Sequence, residues 1–527
     1  MTEVKATPNA GVALYATQEY KPGQIILTET PLMTVSPKTS SQITAIRSQF
    51  QNIKAGKKIS QDSPIIDLDI PSSIHVKDRA GFRGMLLACA SFSLLDDASI
   101  KEKVLQLYHP NLEVSPEDNP HEAALIKSAQ EALTFLQRQC NPSSVLSKLL
   151  KTSPQEGLQI MLIYRCNAFK GGHIYETTSR INHSCDFNAV VSTDAFSSEE
   201  EAQTIRAVSL IQKGEEICIS YLGSFTFADV MMRNDKLMKD KFFVCKCKRC
   251  EQNRTQGDVA GSVPCFKCHP REGRYLDEDV QYDDGAIEVN YCIPCINSED
   301  SKKIIYKCKK CGVVERDEVA QSTMEKALER AISHLEDGLV HQSEIDEEED
   351  SRANKIEMTE RLACLSTSVL GAKHWASDLL LFVNLSAKLS LLHASMLCKS
   401  AGGSDGKGEK KSEDEDADLM NDIAECIDSL ERVIAYVESL SLKCHFGHLV
   451  GNVSVGVARV LVGFGDVKSM KYGSSFAERV YDDYFKLGFE GEGMIKLVDT
   501  LINAWKKKSG VKEEGAEGPQ KKKQKAC

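Results

Sequence analysis

Arg180-Ile181-Asn182-His183-Ser184-Cys185-Asp186-Phe187-Asn188 sets an amide, an imidazole, a hydroxyl and a thiol in consecutive positions. Such groups hydrogen-bond, ligate metals or carry protons, and so many together mark a site more than a packing loop. Downstream come Lys213-Gly214-Glu215-Glu216-Ile217-Cys218-Ile219-Ser220-Tyr221 and then Cys245-Lys246-Cys247-Lys248-Arg249-Cys250. In the first, Ile217, Ile219 and Tyr221 share one parity, as on one face of a strand that starts at the Lys-Gly turn. The second is a C-x-C-x-x-C cluster, one thiolate short of the four that a closed tetrahedral zinc site takes, and Cys185 can supply the fourth.

Composition bounds the rest. The chain has 527 residues, 42% apolar and 27% charged, which suits about three or four globular units. No apolar run approaches the roughly 20 residues of a membrane helix, and the first residues lack the order of a signal peptide. An intracellular location, cytoplasm and/or nucleus, is expected, with no membrane partner. Nine of the nineteen cysteines lie between Cys245 and Cys311 in C-x-C and C-x-x-C pairs, which in a reducing compartment means metal. The net charge of −11 argues against broad phosphate-backbone binding and suits a cationic partner such as a lysine-rich peptide.

The three segments, in this order and at this spacing, resemble the core of a SET-domain protein-lysine methyltransferase of the SET-and-MYND family. The resemblance implies S-adenosylmethionine as cofactor, a lysine-containing protein or peptide (histone or non-histone) as substrate, and Tyr221 as the catalytic residue, also in contact with the cofactor. Gly11-Val12-Ala13-Leu14 resembles the family's opening Gly-x-Gly-Leu turn, with Ala13 at the second glycine, so Gly11, Ala13 and Leu14 are expected at the cofactor. Asn167, in Asn-Ala-Phe, resembles the cofactor-binding Asn-x-Phe. Asn182 and His183 should meet the cofactor's amino-acid end and adenine, with Asn188 as a buttress. Phe243 resembles the aromatic that stacks on adenine. Lys241 stands near where many relatives carry a tyrosine. The family's MYND zinc finger is missing, since its region holds only Cys89 and Cys140, far apart on apolar helical stretches.

The chemistry demands such groups. Methyl transfer from a sulfonium is an in-line displacement, so donor and nucleophile must be collinear, close and dry. A lysine amine has a reference pKa of about 10.4, and neutralising it near pH 7.5 costs roughly 4 kcal/mol unless its surroundings lower that value. A narrow apolar channel beside a positive sulfonium does so. Orienting the amine is work for a tyrosine hydroxyl on a rigid strand.

The fold class read from these features is α+β: a split, β-rich SET fold with a post-SET zinc site, a helical insertion and an all-α, superhelical C-terminal domain resembling tetratricopeptide repeats. Residues 1–36 are the N-terminal half of the SET fold, 37–154 the insertion forming one wall of the peptide cleft, and 155–251 the SET core and post-SET segment. Residues 252–316 read as a zinc-ribbon-like unit. Its preferred ligands are Cys265, Cys268, Cys308 and Cys311, with Cys292 and Cys295 as equally workable alternates by spacing, for about two Zn²⁺ in the chain. An acidic loop from Asp277 to Asp284 disfavours a nucleic-acid finger here. Residues 317–510 carry helical periodicity and a surface for protein partners, interrupted by a disordered loop at 400–418; 511–527 is a charged tail. Two other classes fit the same residues: a SET-derived scaffold without transfer activity, favoured by Lys241 and Ala13, and a zinc-dependent chromatin adaptor. Cofactor binding separates the enzyme from both.

Overall fold

The computed structural model describes residues 2–7, 11–35, 39–51, 70–75, 78–192, 202–265, 267–268, 290–296, 304–314, 325–332, 349–371, 373–385, 388, 413–440 and 503. It opens on a hairpin, β1 (Thr2–Thr7) against β2 (Gly11–Ala16), in register from Thr2↔Ala16 to Thr7↔Gly11. Gly11 takes φ +69° at the return, a conformation that costs a residue without Cβ little. Sequence alternation located β2 but not β1, because β1 lies on the surface and buries no face that would pattern it.

Beyond the turn at Gly23, β3 (Ile25–Glu29) pairs with β8 (Gln203–Ala207), and β8 with β7 (Ala189–Ser192), a sheet of order β3-β8-β7. Two short pairs bring later segments to this sheet: β4 (Met33–Thr34) with β5 (His173–Ile174), and β6 (Asn182–His183), parallel, with β9 (Cys218–Ile219). Leu14, Ile26, Ile181, Ile205, Ile217 and Ile219 meet in one buried cluster. Strand halves separated by over 150 residues thus share a core that neither closes alone. Glu29 ties them further, accepting from Thr177 N at 2.8 Å, Thr178 N at 2.9 Å and Thr178 Oγ1 at 2.8 Å.

Between the halves lie α1 (Ser40–Arg47), α2 (Arg79–Ser93), α3 (Ala98–Leu105), α4 (Pro120–Gln139), α5 (Val145–Thr152) and α6 (Pro154–Asn167). Their starts are legible: Thr39 and Gln42 form a capping box, Asp97 caps α3, Asn119 caps α4 ahead of Pro120, and Ser144 caps α5, each satisfying otherwise orphaned backbone donors. α6 is the hub, with Leu158 and Ile160 to Ile163 buried against helices on several sides. Gly84 lets α2 approach it; a Cβ there would lie 2.5 Å from the Tyr164 ring. Cys89, fully buried, donates to Gly157 O at 3.2 Å, and Cys140 is buried in the same cluster.

After β9 come α7 (Val230–Lys241) and α8 (Lys248–Gln256), then an antiparallel sheet β10 (Val263–Pro264), β11 (Tyr291–Ile296), β12 (Ile304–Cys308) and β13 (Gly312–Val314), in that order. Four helices follow among the described residues: α9 (325–332), α10 (Glu349–Leu370), α11 (375–385) and α12 (Glu413–Ser439). They share a cluster with the first half: Trp375 stacks near Phe225, and Tyr436 Oη donates to Phe227 O at 2.8 Å. α12 begins at Glu413, so 413–418, expected in a disordered loop, is helical. The remainder of that loop, the 277–284 loop, the helical stretches after 440 and the charged tail lie outside the described residues.

Asp378 is 3% exposed on α11; its Oδ1 accepts from Arg432 Nε of α12 at 3.3 Å and its Oδ2 has no partner. Burial pushes its carboxyl up to about 7, with Arg432 pulling the other way. A raised carboxyl favours the protonated folded state, so this contribution to stability is present below the ordinary carboxylate pKa and is lost as pH rises through about 7. Asp378→Asn should therefore gain melting temperature relative to the native chain between about pH 5 and pH 8, measured as paired thermal melts across that range.

Candidate active site and cysteine clusters

The segment 215–221 is gripped on both sides. On one side Ala16 N donates to Glu215 O at 2.9 Å and Ile217 N to Leu14 O at 2.8 Å. On the other, the Asn188 side chain acts as a strand edge: its Nδ2 donates to Glu216 O at 2.8 Å and its Oδ1 accepts from Cys218 N at 2.9 Å. Only Cys218 and Ile219 form a regular ladder, so the expected seven-residue strand is two residues long, held elsewhere by these bonds. Ile217 and Ile219 are buried, and the Tyr221 ring packs between the strand core and the buried cluster that holds Cys185, Cys245 and Cys250.

Tyr221 is fixed at both ends. Its backbone N donates to His183 Nδ1 at 3.0 Å, and its hydroxyl donates to Ile181 O at 2.5 Å. Burial raises its pKa, so the phenol is neutral. Because His183 Nδ1 accepts, the proton of the neutral ring sits on Nε2, which points at Cys185 Sγ 3.3 Å away. His183 therefore links the tyrosine to the cysteines. Beyond Tyr221, Ser220 Oγ accepts from Leu222 N at 3.2 Å and lies 2.5 Å from Thr226 Oγ1, which steers the chain into a short 3₁₀ turn, Gly223–Phe227.

Cys185, Cys245, Cys247 and Cys250 bring their sulfurs within 4.8 Å of one another, and so do Cys265, Cys268, Cys308 and Cys311. In the second set Cys265–Cys311, Cys268–Cys311 and Cys268–Cys308 lie at 3.2, 3.4 and 3.9 Å. A tetrahedron of thiolates around zinc has S···S edges of about 3.8 Å, so both donor sets fit one Zn²⁺ each by number, softness and spacing. Cys292 pairs across the sheet with Cys308 but stays outside the set, and Cys295 turns to Ile305 O at 3.6 Å. Spacing could not separate these options because β11 lies between β10 and β12, bringing all three C-x-x-C pairs into one small sheet.

Two buried arginines, missed in the sequence, support the first cluster. Arg249 Nη1 donates to Cys185 O at 3.2 Å and Thr226 O at 2.9 Å. Arg233, 0% exposed, reaches Cys250 Sγ at 3.7 Å and Asp258 Oδ2 at 3.5 Å, and donates to Ala228 O. A guanidinium beside thiolates favours their ionised form. The one sequence signal was an arginine inside the Cys-x-x-Cys step.

The residues expected at a cofactor are distributed as follows. Asn182 Nδ2 donates to Val12 O at 3.2 Å and Glu216 Oε1 at 2.9 Å, joining the first hairpin to the gripped segment. Phe243 is half-buried, 6.0 Å from His183, ring to ring. Ala13 and Leu14 are 0% exposed inside the hairpin core, whereas Gly11 is exposed and a Cβ on it would meet nothing within 4 Å. Asn167, at the end of α6, spends its amide on Tyr108 O and Ile163 O, both at 2.7 Å, so its side chain is engaged within the protein. Lys241, closing α7, donates to Cys166 O at 2.8 Å with its Nζ 5.2 Å from the Tyr221 ring centre.

Residues 11–222 match the family model of the SET domain. The chain is 34% identical over 94 residues to "Histone-lysine N-methyltransferase ASHR1" of Arabidopsis thaliana, 18% of each chain. It is 30% identical over 153 residues to "N-lysine methyltransferase SMYD2" of Sus scrofa, 27% of this chain and 33% of that protein. A SET and MYND domain-containing protein of Dictyostelium discoideum is 37% identical over 83 residues, 16% of this chain and 6% of the relative. The chain spans about a third or less of the length of each of these relatives. No helix among the described residues is long and apolar enough to cross a membrane.

Cys247 is the N-cap of α8, and serine is a good N-cap. Cys247→Ser should keep the helix start but leave three thiolates, removing about one equivalent of zinc and lowering the melting temperature of the purified protein. Unchanged metal content by mass spectrometry would rule out this cluster as a zinc site.

Proposed function

We propose that the SET domain at residues 11–222 makes this chain a protein-lysine N-methyltransferase that uses S-adenosylmethionine, with Tyr221 as its catalytic residue. The observation that carries this reading is the fixed Tyr221 phenol, neutral and bonded to Ile181 O at 2.5 Å, inside a domain whose relatives are named as lysine methyltransferases. S-adenosylmethionine, when bound, supplies a methyl group on a positively charged sulfur. The residues present suit it: exposed backbone at Gly11 and the half-buried His183–Phe243 ring pair for an adenine.

In this reading the chain supplies position and dryness. The Tyr221 hydroxyl, its proton committed to Ile181 O, keeps its lone pairs for an incoming amine, and the Ile181 carbonyl lies beside it as a second acceptor. The apolar walls from the strand core disfavour a charged amine and help it become a nucleophile. Asn188 holds the backbone of Glu216 and Cys218 leading to the tyrosine, and His183 holds the tyrosine's own backbone N, so little reorganisation is needed at the moment of transfer. Each cysteine cluster is read as a structural zinc site. The first stitches the Asn-His-Ser-Cys loop to the post-SET segment, and the second closes the 252–316 ribbon.

The domain layout proposed is the one read from sequence: SET halves at 1–36 and 155–251, the helical insertion between them as a cleft wall, the ribbon, and a C-terminal helical array of superhelical, tetratricopeptide-like type offering a protein-binding surface. The substrate class is a lysine-bearing protein, histone or non-histone, which the acidic net charge of −11 suits.

Tyr221→Phe keeps the ring and loses one hydroxyl. It should lower single-turnover methyl transfer by roughly a hundredfold or more, about 3 kcal/mol, with S-adenosylmethionine affinity nearly unchanged. The lost bond to Ile181 O should cost about 1 kcal/mol of stability. Transfer at the native rate in the variant would remove Tyr221 from the mechanism. A native chain that binds the donor yet methylates no protein would make it a scaffold.

A further inference from the structure

Lys241 is half-buried, and its ammonium is bonded to a backbone carbonyl. Its Nζ donates to Cys166 O, 2.8 Å away at the end of α6, and lies 5.2 Å from the centre of the Tyr221 ring. It therefore bridges the two stretches expected to frame the transfer site, the Cys166-Asn167-Ala168-Phe169 segment and the Tyr221 face. No carboxylate forms an ion pair with it among the described residues, in contrast to Lys103, Lys236, Lys239 and Lys388.

The backbone is arranged to point it inward. Phe242, the next residue, has φ 68°, the one non-glycine residue with left-handed backbone among those described. That conformation is unfavourable for a residue with a Cβ. The reversal is held by Asn119 Nδ2, which donates to Phe242 O at 3.2 Å, and Phe243 then continues toward the His183 ring. Burial lowers the amine's pKa ahead of every other influence, with Cys166 and Asp240 acting the opposite way and Arg165 adding to the lowering. The Cys166 thiol is itself pushed up to about 11 by burial, so near neutral pH it is uncharged and adds no counter-ion. A carbonyl acceptor, an aromatic wall and a destabilised positive charge are what a methyl-accepting lysine requires.

We propose that Lys241 is itself a methyl acceptor: its Nζ, held at the face of the Tyr221 ring, lies beside the amine subsite at the Tyr221 hydroxyl and is methylated in cis. This rests on the methyltransferase reading above. The amine first loses a proton to solvent. Its lone pair then forms the N–C bond as the C–S bond of the sulfonium breaks, the electron pair leaving on sulfur as a neutral thioether, and Nζ becomes a methylammonium. The unmodified ammonium beside that subsite also competes with an external lysine, so the chain's own residue limits access to Tyr221.

The test uses the full chain, purified without donor and then given S-adenosylmethionine with an isotopically labelled methyl group, with every modified lysine mapped by mass spectrometry. Label should appear on Lys241 at a rate unaffected by about tenfold dilution of the protein, and should be lost in Tyr221→Phe. Lys241→Arg retains a cation for Cys166 O and should fold, bind donor within about twofold of the native affinity by calorimetry, and carry no label at 241. Lys241→Met should remove the competing ammonium and raise transfer to lysines of an added extract several-fold. If the native chain binds donor and labels extract proteins in a Tyr221-dependent way while Lys241 stays unmodified, the inference is overturned and the methyltransferase reading stands. If donor does not bind, both fall. If Lys241 is unlabelled and both variants simply melt lower, the residue is a cap for the α6 carboxyl end.

Discussion

The sulfur of Cys185 is the point on which the rest of this architecture depends. It follows His183 and Ser184 directly, so wherever it is anchored the Asn-His-Ser turn is anchored too. Its neighbours are the thiols of Cys245, Cys247 and Cys250 on one side and His183 Nε2, 3.3 Å away, on the other. Through His183 Nδ1 the same ring holds the backbone of Tyr221 at 3.0 Å. One short chain of contacts thus joins a cysteine cluster to the residue with the best claim to chemistry. In a region with few regular strand bonds, this chain substitutes for a ladder.

The grip on 215–221 extends the same logic. Regular pairing there covers only Cys218 and Ile219, yet Leu14 and Ala16 bond it on one side and the Asn188 side chain on the other. A side-chain amide carries a donor and an acceptor with the spacing of a peptide group, so Asn188 completes a sheet where the chain itself turns away. Its loss would leave buried backbone groups unpaired, which costs more than the bond contributes when made.

Buried charge distinguishes the second half of the molecule. Arg233 and Arg249 lie under the first cysteine cluster, and Asp229 and Asp258 flank them, with Asp258 Oδ2 accepting from Val230 N at 2.6 Å. Replacing such groups by apolar ones often costs little, whereas removing one partner strands the other. Their arrangement ties α7, α8 and the C-terminal helices into one packed region, with Trp375 N bonded to Ala260 O at 2.8 Å and Tyr436 Oη to Phe227 O.

Much of this was written in local sequence. Caps at Thr39, Asp97, Asn119 and Ser144, the alternation around Ile217 and Ile219, and the C-x-C-x-x-C spacing are short-range signals, because they follow from hydrogen bonds and periodicities spanning a few residues. The surface strand Thr2–Thr7, the helical start at Glu413 and the exclusion of Cys292 and Cys295 from the second cysteine set were not legible. The first buries no face, and the last depends on which strand lies in the middle of a sheet. The hairpin residues divide in the same way: a glycine-containing turn was readable at Gly11, but that Ala13 and Leu14 are sealed in the core is a consequence of strands nearly two hundred residues away packing over them. The sequence by itself determined which side chains were available for chemistry. Tertiary structure alone decided that Lys241 leans over Tyr221, that Asn167 reaches Tyr108 O, and that His183 Nδ1 takes the backbone N–H of Tyr221, since each depends on contacts between segments that no local pattern can register.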